Sequence, residues 1–249
     1  MDNNTEISRE IEIFSNGLIK FDIGIEKNRI ISIKPIIGFH HRGIEKLCEN
    51  QNCNKALELI SRIDSENPYI YPTAVAIAYE RLNQIVVPEK VEYSRVLAIE
   101  LLRIKNHLQM LYNLFGAIRL SNFIDEIENK LITVETIISS LFLDKYLFVK
   151  VGGISYALSD KTLDNLESFF DSLYDFSHQK KNEFEHSFLV GKKLENLGII
   201  SKEDAIYLSG INARASGVNI DLRFDRKVSM YNRFDFLRTD QGIYPQSLS

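Results

Sequence analysis

Cysteine is scarce. The 249 residues contain two, Cys48 and Cys53, with four residues between them. A disulfide framework needs more cysteines in a shorter chain. A zinc or iron–sulfur site needs about four ligands at tighter spacing. Two thiols in a reducing compartment are the simplest reading. Proline (5) and glycine (12) are also few. Together they make about 7% of the chain against an average near 12%. That excludes a collagen-like chain, a flexible linker protein and a loop-rich β sandwich, and it favours helix. Long apolar runs are missing: no window holds about 18 uncharged apolar residues, the length that spans a membrane. The richest stretch, Leu131 to Leu143, is short and is interrupted by Glu135. The opening Met1-Asp2-Asn3-Asn4-Thr5-Glu6 lacks the basic and apolar pattern of a signal peptide. A cytoplasmic chain is expected, peripheral on the inner face of the cell membrane only through partners. There is no excess of positive charge: the net charge is −4 and the pI near 5.8. A nucleic-acid footprint would be basic, so no nucleic-acid partner is expected.

What is present is ordinary soluble-protein composition, 45% hydrophobic and 26% charged. Strand signals come first. Ile11, Ile13 and Phe14 precede the turn-type cluster Ser15-Asn16-Gly17. Leu18, Ile19, Phe21, Ile23 and Ile25 mostly alternate, and after a polar break Ile30, Ile31 and Ile33 resume, closed by Pro35. This predicts an antiparallel β hairpin. From about residue 43 the period lengthens. Apolar positions spaced by three and four predict helices over 73–84, 90–115 and 122–142, the second with the widest stripe and therefore central. Val149 to Ile154 predicts a short strand and turn, and 162–196 a further helix. Ser201-Lys202-Glu203-Asp204 fits a capping box. Residues 210–249 show no sustained period. The expected fold is mainly α (α+β), a central helical bundle with a small N-terminal hairpin. Its parts are 1–38, 39–209 and an irregular 210–249, all in one structural unit.

Four polar segments carry chemical content. In Phe39-His40-His41-Arg42-Gly43-Ile44-Glu45-Lys46 the adjacent histidines diverge and do not readily chelate one metal. Gly43 allows a close backbone approach. Arg42 offers a planar fork of donors with Glu45 one turn along. The segment is either a helix-entry salt bridge or a site. Ser61-Arg62-Ile63-Asp64-Ser65-Glu66-Asn67-Pro68-Tyr69 is a polar break before an apolar helix, read as a loop and cap. Arg95, Glu100, Arg103 and His107 follow one helical pattern, with Glu100 and Arg103 a natural i,i+3 pair. An exposed salt-bridged face is the default there, and burial would make it a structural network. In Gly210 to Arg223, small residues around Arg214 permit close packing against another surface, and Asp221 and Arg223 share a face if extended. No Walker, GxGxxG or GxSxG pattern occurs.

Taken in order, these segments resemble the large-subunit family shared by respiratory complex I (its D-type, or 49-kDa-type, subunit) and the membrane-bound group-4-type nickel–iron hydrogenases. The family's Gly-Tyr-x-His-Arg-Gly-x-Glu-Lys-Leu is matched by Gly38-Phe39-His40-His41-Arg42-Gly43-Ile44-Glu45-Lys46-Leu47. Further matches are Ser61-Arg62-Ile63-Asp64, Ala78-Tyr79-Glu80-Arg81-Leu82, Val87-Pro88, Arg95-Val96-Leu97, Glu100-Leu101-Leu102-Arg103-Ile104 and His107-Leu108. Gly152-Gly153-Ile154, Arg214-Ala215-Ser216-Gly217-Val218 with Asp221 and Arg223, and Tyr231 with Phe234-Asp235-Phe236 complete the series. The resemblance covers roughly residues 17–236 and implies a hydrogenase large-subunit-like fold.

The departures shape the functional expectation. The first cysteine pair of hydrogenase members falls on Asp64 and Asn67, and no second pair follows. Thiolate-held nickel is therefore not expected. The tyrosine that binds the quinone headgroup in complex I members is Ser65 here, and the His-Pro-x-x-His loop is Phe14-Ser15-Asn16-Gly17. A histidine near the partner's cluster is matched by Tyr146, and a C-terminal third of the family's length is expected to be missing. By resemblance, Arg42 and Arg62 lie near the iron–sulfur cluster of a small partner subunit, similar to the B-type subunit of complex I. Glu45, His41 and Asp64 are candidates for a proton relay, and Arg214, Ser216, Asp221, Arg223 and His107 are candidates for an interface. The chain is expected to bind no cofactor itself, with quinone doubtful. Its partners are that small iron–sulfur subunit, other hydrophilic-arm subunits and membrane-arm subunits of an NADH-quinone oxidoreductase or hydrogenase-related complex. A non-catalytic scaffold or assembly paralogue, or a truncated fragment, is the alternative.

Overall fold

The computed structural model describes residues 5–12, 18–26, 29–142, 144, 146–156, 160–194, 197–226 and 229–233. The turn expected at Phe14-Ser15-Asn16-Gly17, the Phe234-Asp235-Phe236 segment and the tail from Tyr244 lie outside these residues. Two units divide the chain, 1–51 and 52–249.

The first unit carries β1 (Thr5–Glu12), β2 (Leu18–Glu26) and β3 (Arg29–Ile36), an antiparallel meander in that order. It has one strand more than the expected hairpin, because charged positions in Thr5–Glu12 mask the alternation there. The register pairs Phe21 with Pro35 and Ile23 with Ile33, and a bulge at Gly24/Ile25 sets Ile25 opposite Ile30. These residues therefore share one face of the sheet, as period-two alternation requires. Pro35, which has no N–H to give a ladder, lies on the edge strand. Gly43 opens α1 (Ile44–Cys48) with φ 63°, in the left-handed region. An added Cβ would meet nothing nearer than His41 Nε2 at 3.9 Å, so conformation and not space requires glycine here. Arg42 directly precedes Gly43 and this helix, and Glu45 lies in its first turn.

The second unit is helical. It comprises α2 (Cys53–Ile60), α3 (Ile70–Leu82), α4 (Glu89–Ala117), α5 (Ser121–Leu141), the short strands β4 (Val149–Lys150) and β5 (Gly153–Ile154), α6 (Asp160–Glu185), α7 (Phe188–Leu194), α8 (Lys202–Ala205), α9 (Gly210–Ala215), α10 (Leu222–Asp225) and a 3-10 turn, Ser229–Arg233. The expected mainly α architecture is borne out. The three predicted central helices appear within a few residues of their predicted ends. Helix α4 is central, with Ala98 and Leu101 fully buried against Ile127 and Val134 of α5. Leu166 and Phe169 of α6 close the core, and Tyr69, Phe142 and Phe148 pack with ring centroids 4.7–5.3 Å apart. The helix expected over 162–196 breaks in two. Ser187 Oγ accepts the N–H of Val190 and so starts α7 afresh. The capping box forms as expected: Ser201 Oγ accepts from Asp204 N at 3.0 Å and donates to Asp204 Oδ2 at 2.8 Å. Residues 210–233 contain helices too short to show a period. Among the described residues no helix is long and apolar enough to cross a membrane.

One buried ion pair ties α3, α4 and the β4–β5 hairpin together. Arg95 Nη1 donates to Glu80 Oε2 at 3.0 Å and Nη2 to Oε1 at 2.7 Å, with both side chains almost wholly buried. Nη2 also reaches the carbonyls of Lys150 (2.7 Å) and Gly153 (3.0 Å). Gly152 N donates to Glu80 Oε1 at 2.6 Å. Gly152 sits at φ 70°, a conformation that glycine adopts without penalty. The helical pattern places Arg95 on an exposed face with Glu100; burial makes it a structural link instead. Removing one partner of such a pair leaves an uncompensated charge in the core. Arg95→Leu is expected to lower stability by ~3–5 kcal/mol in urea unfolding. Glu80→Leu/Arg95→Leu together should lose less than either change alone.

Candidate functional site

Of the residues expected at an interface, His107 lies on α4, Arg223 reaches its Glu100, and Asp221 pairs with Arg223. Glu100 Oε2 accepts from Arg103 Nε at 2.9 Å, the i,i+3 pair read from the sequence, and lies 3.7 Å from Arg223 Nη1. Tyr231 Oη donates to Glu100 Oε1 at 2.5 Å. Arg223 Nε and Nη2 donate to Asp221 Oδ1 (3.0 Å) and Oδ2 (2.6 Å), and Asp221 also accepts the N–H of Arg223 at the start of α10. Asp221 and Arg223 thus pair directly. The Arg223 bonds hold the Asp221 carboxyl down at about 2. Burial and the bond to Glu100 push the Tyr231 phenol well above its ordinary range. His107, one turn on from Arg103, has its pKa lowered by desolvation and then by Arg103, with Arg214 and Arg223 adding and Glu100 opposing. Ser216 Oγ donates to the Asn212 carbonyl at 2.8 Å, a bond internal to α9 and its cap.

A second polar group lies in the loop 61–69. Asp64 accepts from the N–H of Glu66 at 3.1 Å and from Asn67 Nδ2 at 2.7 Å, so both of its oxygens fasten the loop. Asn67 Oδ1 accepts from Asn106 Nδ2 of α4 at 2.5 Å. Lys105, also on α4, lies 2.5 Å from Glu66 and 3.6 Å from Glu135 of α5. Ser65, Glu66, Tyr69, Lys105, Glu135 and Phe142 line a cavity of about 580 Å³. Arg62 lies 3.5 Å from Glu58 and stacks its guanidinium 4.8 Å above the Tyr146 ring.

In the first unit His41, Arg42 and Glu45 flank the start of α1. Burial, and then the Glu45 charge, push the Cys48 thiol up. Burial and then Glu80 do the same for Cys53 in the second unit. Raised thiols are poor nucleophiles and poor metal ligands. Among the described residues no group of three or more His, Cys, Asp or Glu is placed to hold a metal ion.

Comparison with known proteins accounts for this pattern. The family described as the respiratory-chain NADH dehydrogenase 49-kDa subunit matches residues 123–240. A D-type subunit of the NADH-quinone oxidoreductase of Chloroherpeton thalassium is 31% identical over 228 residues, which is 89% of this chain and 51% of that protein. The chain is homologous to these D-type, 49-kDa-type subunits. The H-type subunit of the NAD(P)H-quinone oxidoreductase of a Synechococcus strain is likewise 31% identical, over 93% of this chain and 59% of its own length. The chain therefore spans between half and three-fifths of these relatives. A chain of an archaeal membrane-bound sulfane sulfur reductase, a respiratory membrane complex, superposes with a TM-score of 0.83 at 22% identity, covering 94% of this chain and 64% of that one. At that identity the likeness is one of fold.

Several of the second unit's residues matched to the family's motifs fall into two groups. Glu80, Arg95, Gly152 and Gly153 meet in the buried node. Glu100, Arg103, His107, Arg214, Asp221, Arg223 and Tyr231 meet on α4. Two contacts have no signal in the sequence, Lys105 to Glu66 and Tyr231 to Glu100, which are 39 and 131 residues apart. No spacing rule links such positions. Because its folded pKa is depressed, Asp221 contributes stability above the unfolded aspartate value, near 4, and loses it as pH falls toward 2. Asp221→Asn is expected to flatten the acid limb of the stability–pH curve between about pH 4 and 2. It should also abolish the tight Arg223 contact. Thermal melts across that range check both.

Proposed function

We propose that this chain is the large-subunit component of a membrane-associated, complex-I-like or hydrogenase-related electron-transfer assembly. In it the chain docks an iron–sulfur small subunit and lacks the usual quinone donors. The observation that carries the reading is the fate of the loop 61–69. Where complex I relatives are expected to place a phenol, Ser65 lines the cavity. Quinone reduction needs a proton donor within about 3 Å of each carbonyl. Lys105, the cation lining that cavity, is held by Glu66 and Glu135, and Asp64 is engaged by its own loop. The phenol that does line the cavity, Tyr69, is buried in the aromatic core and burial pushes its pKa well above the ordinary range, so in this reading it does not stand in for the donor expected at position 65. The polar side chains on α4 form a partner-facing surface instead.

In this reading Arg42 and Arg62 lie near the partner's cluster, where a cation stabilises the reduced form. His41, Glu45 and Asp64 remain the relay candidates. Other hydrophilic-arm and membrane-arm subunits complete the assembly and hold the chain at the inner face of the membrane.

Co-expression with a candidate iron–sulfur small subunit, followed by purification and EPR of the reduced cluster, tests the proposal. The expected result is a stable complex with a reducible cluster and no turnover of a short-chain quinone. Arg62→Gln is expected to shift the cluster potential downward while the complex stays intact. Failure to co-purify, or quinone turnover by the unaltered complex, would contradict the reading. Cluster reduction insensitive to both Arg42→Gln and Arg62→Gln would favour the scaffold alternative.

A further inference from the structure

A cleft of about 370 Å³ lies between α4 and α6, in the range of small-molecule sites. Its floor is core: Leu108, Phe115 and Ile127 are all buried. Leu111 on α4 and Leu173 and Phe176 on α6 wall it. Polar ties fix its width. Lys130 Nζ donates to Ser172 Oγ at 2.5 Å and Lys180 Nζ to Glu126 Oε1 at 2.7 Å, so α6 is clasped to α5 at two places. Lys193 of α7 donates to the Ile118 carbonyl at the end of α4. Near that end the Phe184 ring meets Phe115 edge-on, with centroids 5.6 Å apart. Closing the cleft would break these ties, so it is a preformed feature of the helical unit.

The polar groups around the cleft decide what it accepts. Four polar side chains line it: His107, Ser177, Lys180 and Lys181. Ser177 Oγ donates to the Tyr174 carbonyl at 2.8 Å. Lys180 holds Glu126 and also Glu183 Oε2, the latter at 2.8 Å. Lys181 lies 3.9 Å from Glu185. Both lining cations therefore already have counter-ions. Among the described residues His107 makes no hydrogen bond and no ion pair. Desolvation, and then Arg103, lower its pKa, so near neutral pH its imidazole is uncharged. A neutral imidazole offers one N–H and one lone pair.

We propose that this cleft binds an uncharged apolar molecule carrying a single hydroxyl or carbonyl group, with its apolar body on Leu108, Phe115 and Leu173 and its polar group on the His107 imidazole. An apolar body takes the floor and walls out of water. A charged head would be desolvated with no unpaired counter-charge to receive it. The cleft shares no lining residue with the cavity beside Ser65. The inference does not rest on the reading of the chain as a docking subunit.

Three probes of equal chain length test it: octanol, octanoate and octylammonium. Each is titrated at neutral pH into the full chain, and methyl NMR follows Leu108, Leu111 and Leu173. Octanol is expected to shift these methyls saturably, and the two ions to bind about tenfold more weakly. His107→Phe, which keeps a ring and loses the hydrogen bond, should weaken octanol binding about fivefold. Leu111→Phe and Leu173→Phe fill the cleft from opposite walls, and either one, once shown to be folded, should lose octanol binding. The absence of a saturable octanol shift would overturn the proposal. So would an ion that binds as tightly as octanol, unchanged binding in His107→Phe, or undiminished binding in a folded filled variant. Shifts confined to the Leu102 and Ile138 methyls would put the alcohol in the cavity beside Ser65 and would also overturn it.

Discussion

Where α3 meets α4, two opposite charges are taken out of water and held to each other. The attraction of Glu80 and Arg95 alone does not repay their desolvation. The geometry supplies the rest: a bidentate fork, two hairpin carbonyls on one guanidinium nitrogen, and the Gly152 amide on the carboxylate. Every one of these contacts crosses between elements distant in sequence. The β4–β5 hairpin has two residues in each strand, too little to be stable by itself. It is ordered because the ion pair reads its backbone. The hairpin in turn sets Phe148 against Tyr69 and Phe142, so core packing and the ion pair depend on each other.

The same helix carries charge on its other side with a different consequence. There Glu100, Arg103 and His107 meet groups from α9, α10 and the 3-10 turn at partly exposed positions. A buried network rigidifies, whereas a half-exposed one leaves its polar groups within reach of water. Homology to the 49-kDa-type subunits is consistent with this division. Several of the second unit's matched residues form one buried link and one partly exposed cluster, both organised by α4. The cavity beside Ser65 is the place where the chain departs from the expected donors, and it is walled by the same helix through Lys105.

Much of the scaffold can be read from residue patterns alone. The stripe through Val96, Leu101, Ile104 and Leu108 predicts α4 almost to its ends, and Ser201-Lys202-Glu203-Asp204 predicts its own cap. Strand β1 is hidden because Glu6, Arg9, Glu10 and Glu12 disguise its alternation. Arg95 illustrates the deeper limit. On the helix it lies near Glu100 in sequence, but its partners are 15 residues back and 55 and 58 ahead. Tyr231 to Glu100 is harder still. Pairing across such separations follows from tertiary packing, which local periodicity does not encode. The candidate cluster is legible as a set of residues, through resemblance, but its geometry is not.

The central claim is that the Glu80–Arg95 pair, and not local hydrogen bonding, holds the Gly-Gly hairpin in place. Native-state hydrogen exchange at the Gly152 amide tests it most directly. If the claim holds, that amide exchanges only with global unfolding, and its protection tracks the urea stability of the second unit. Exchange through a low-energy local opening, independent of denaturant, would contradict it.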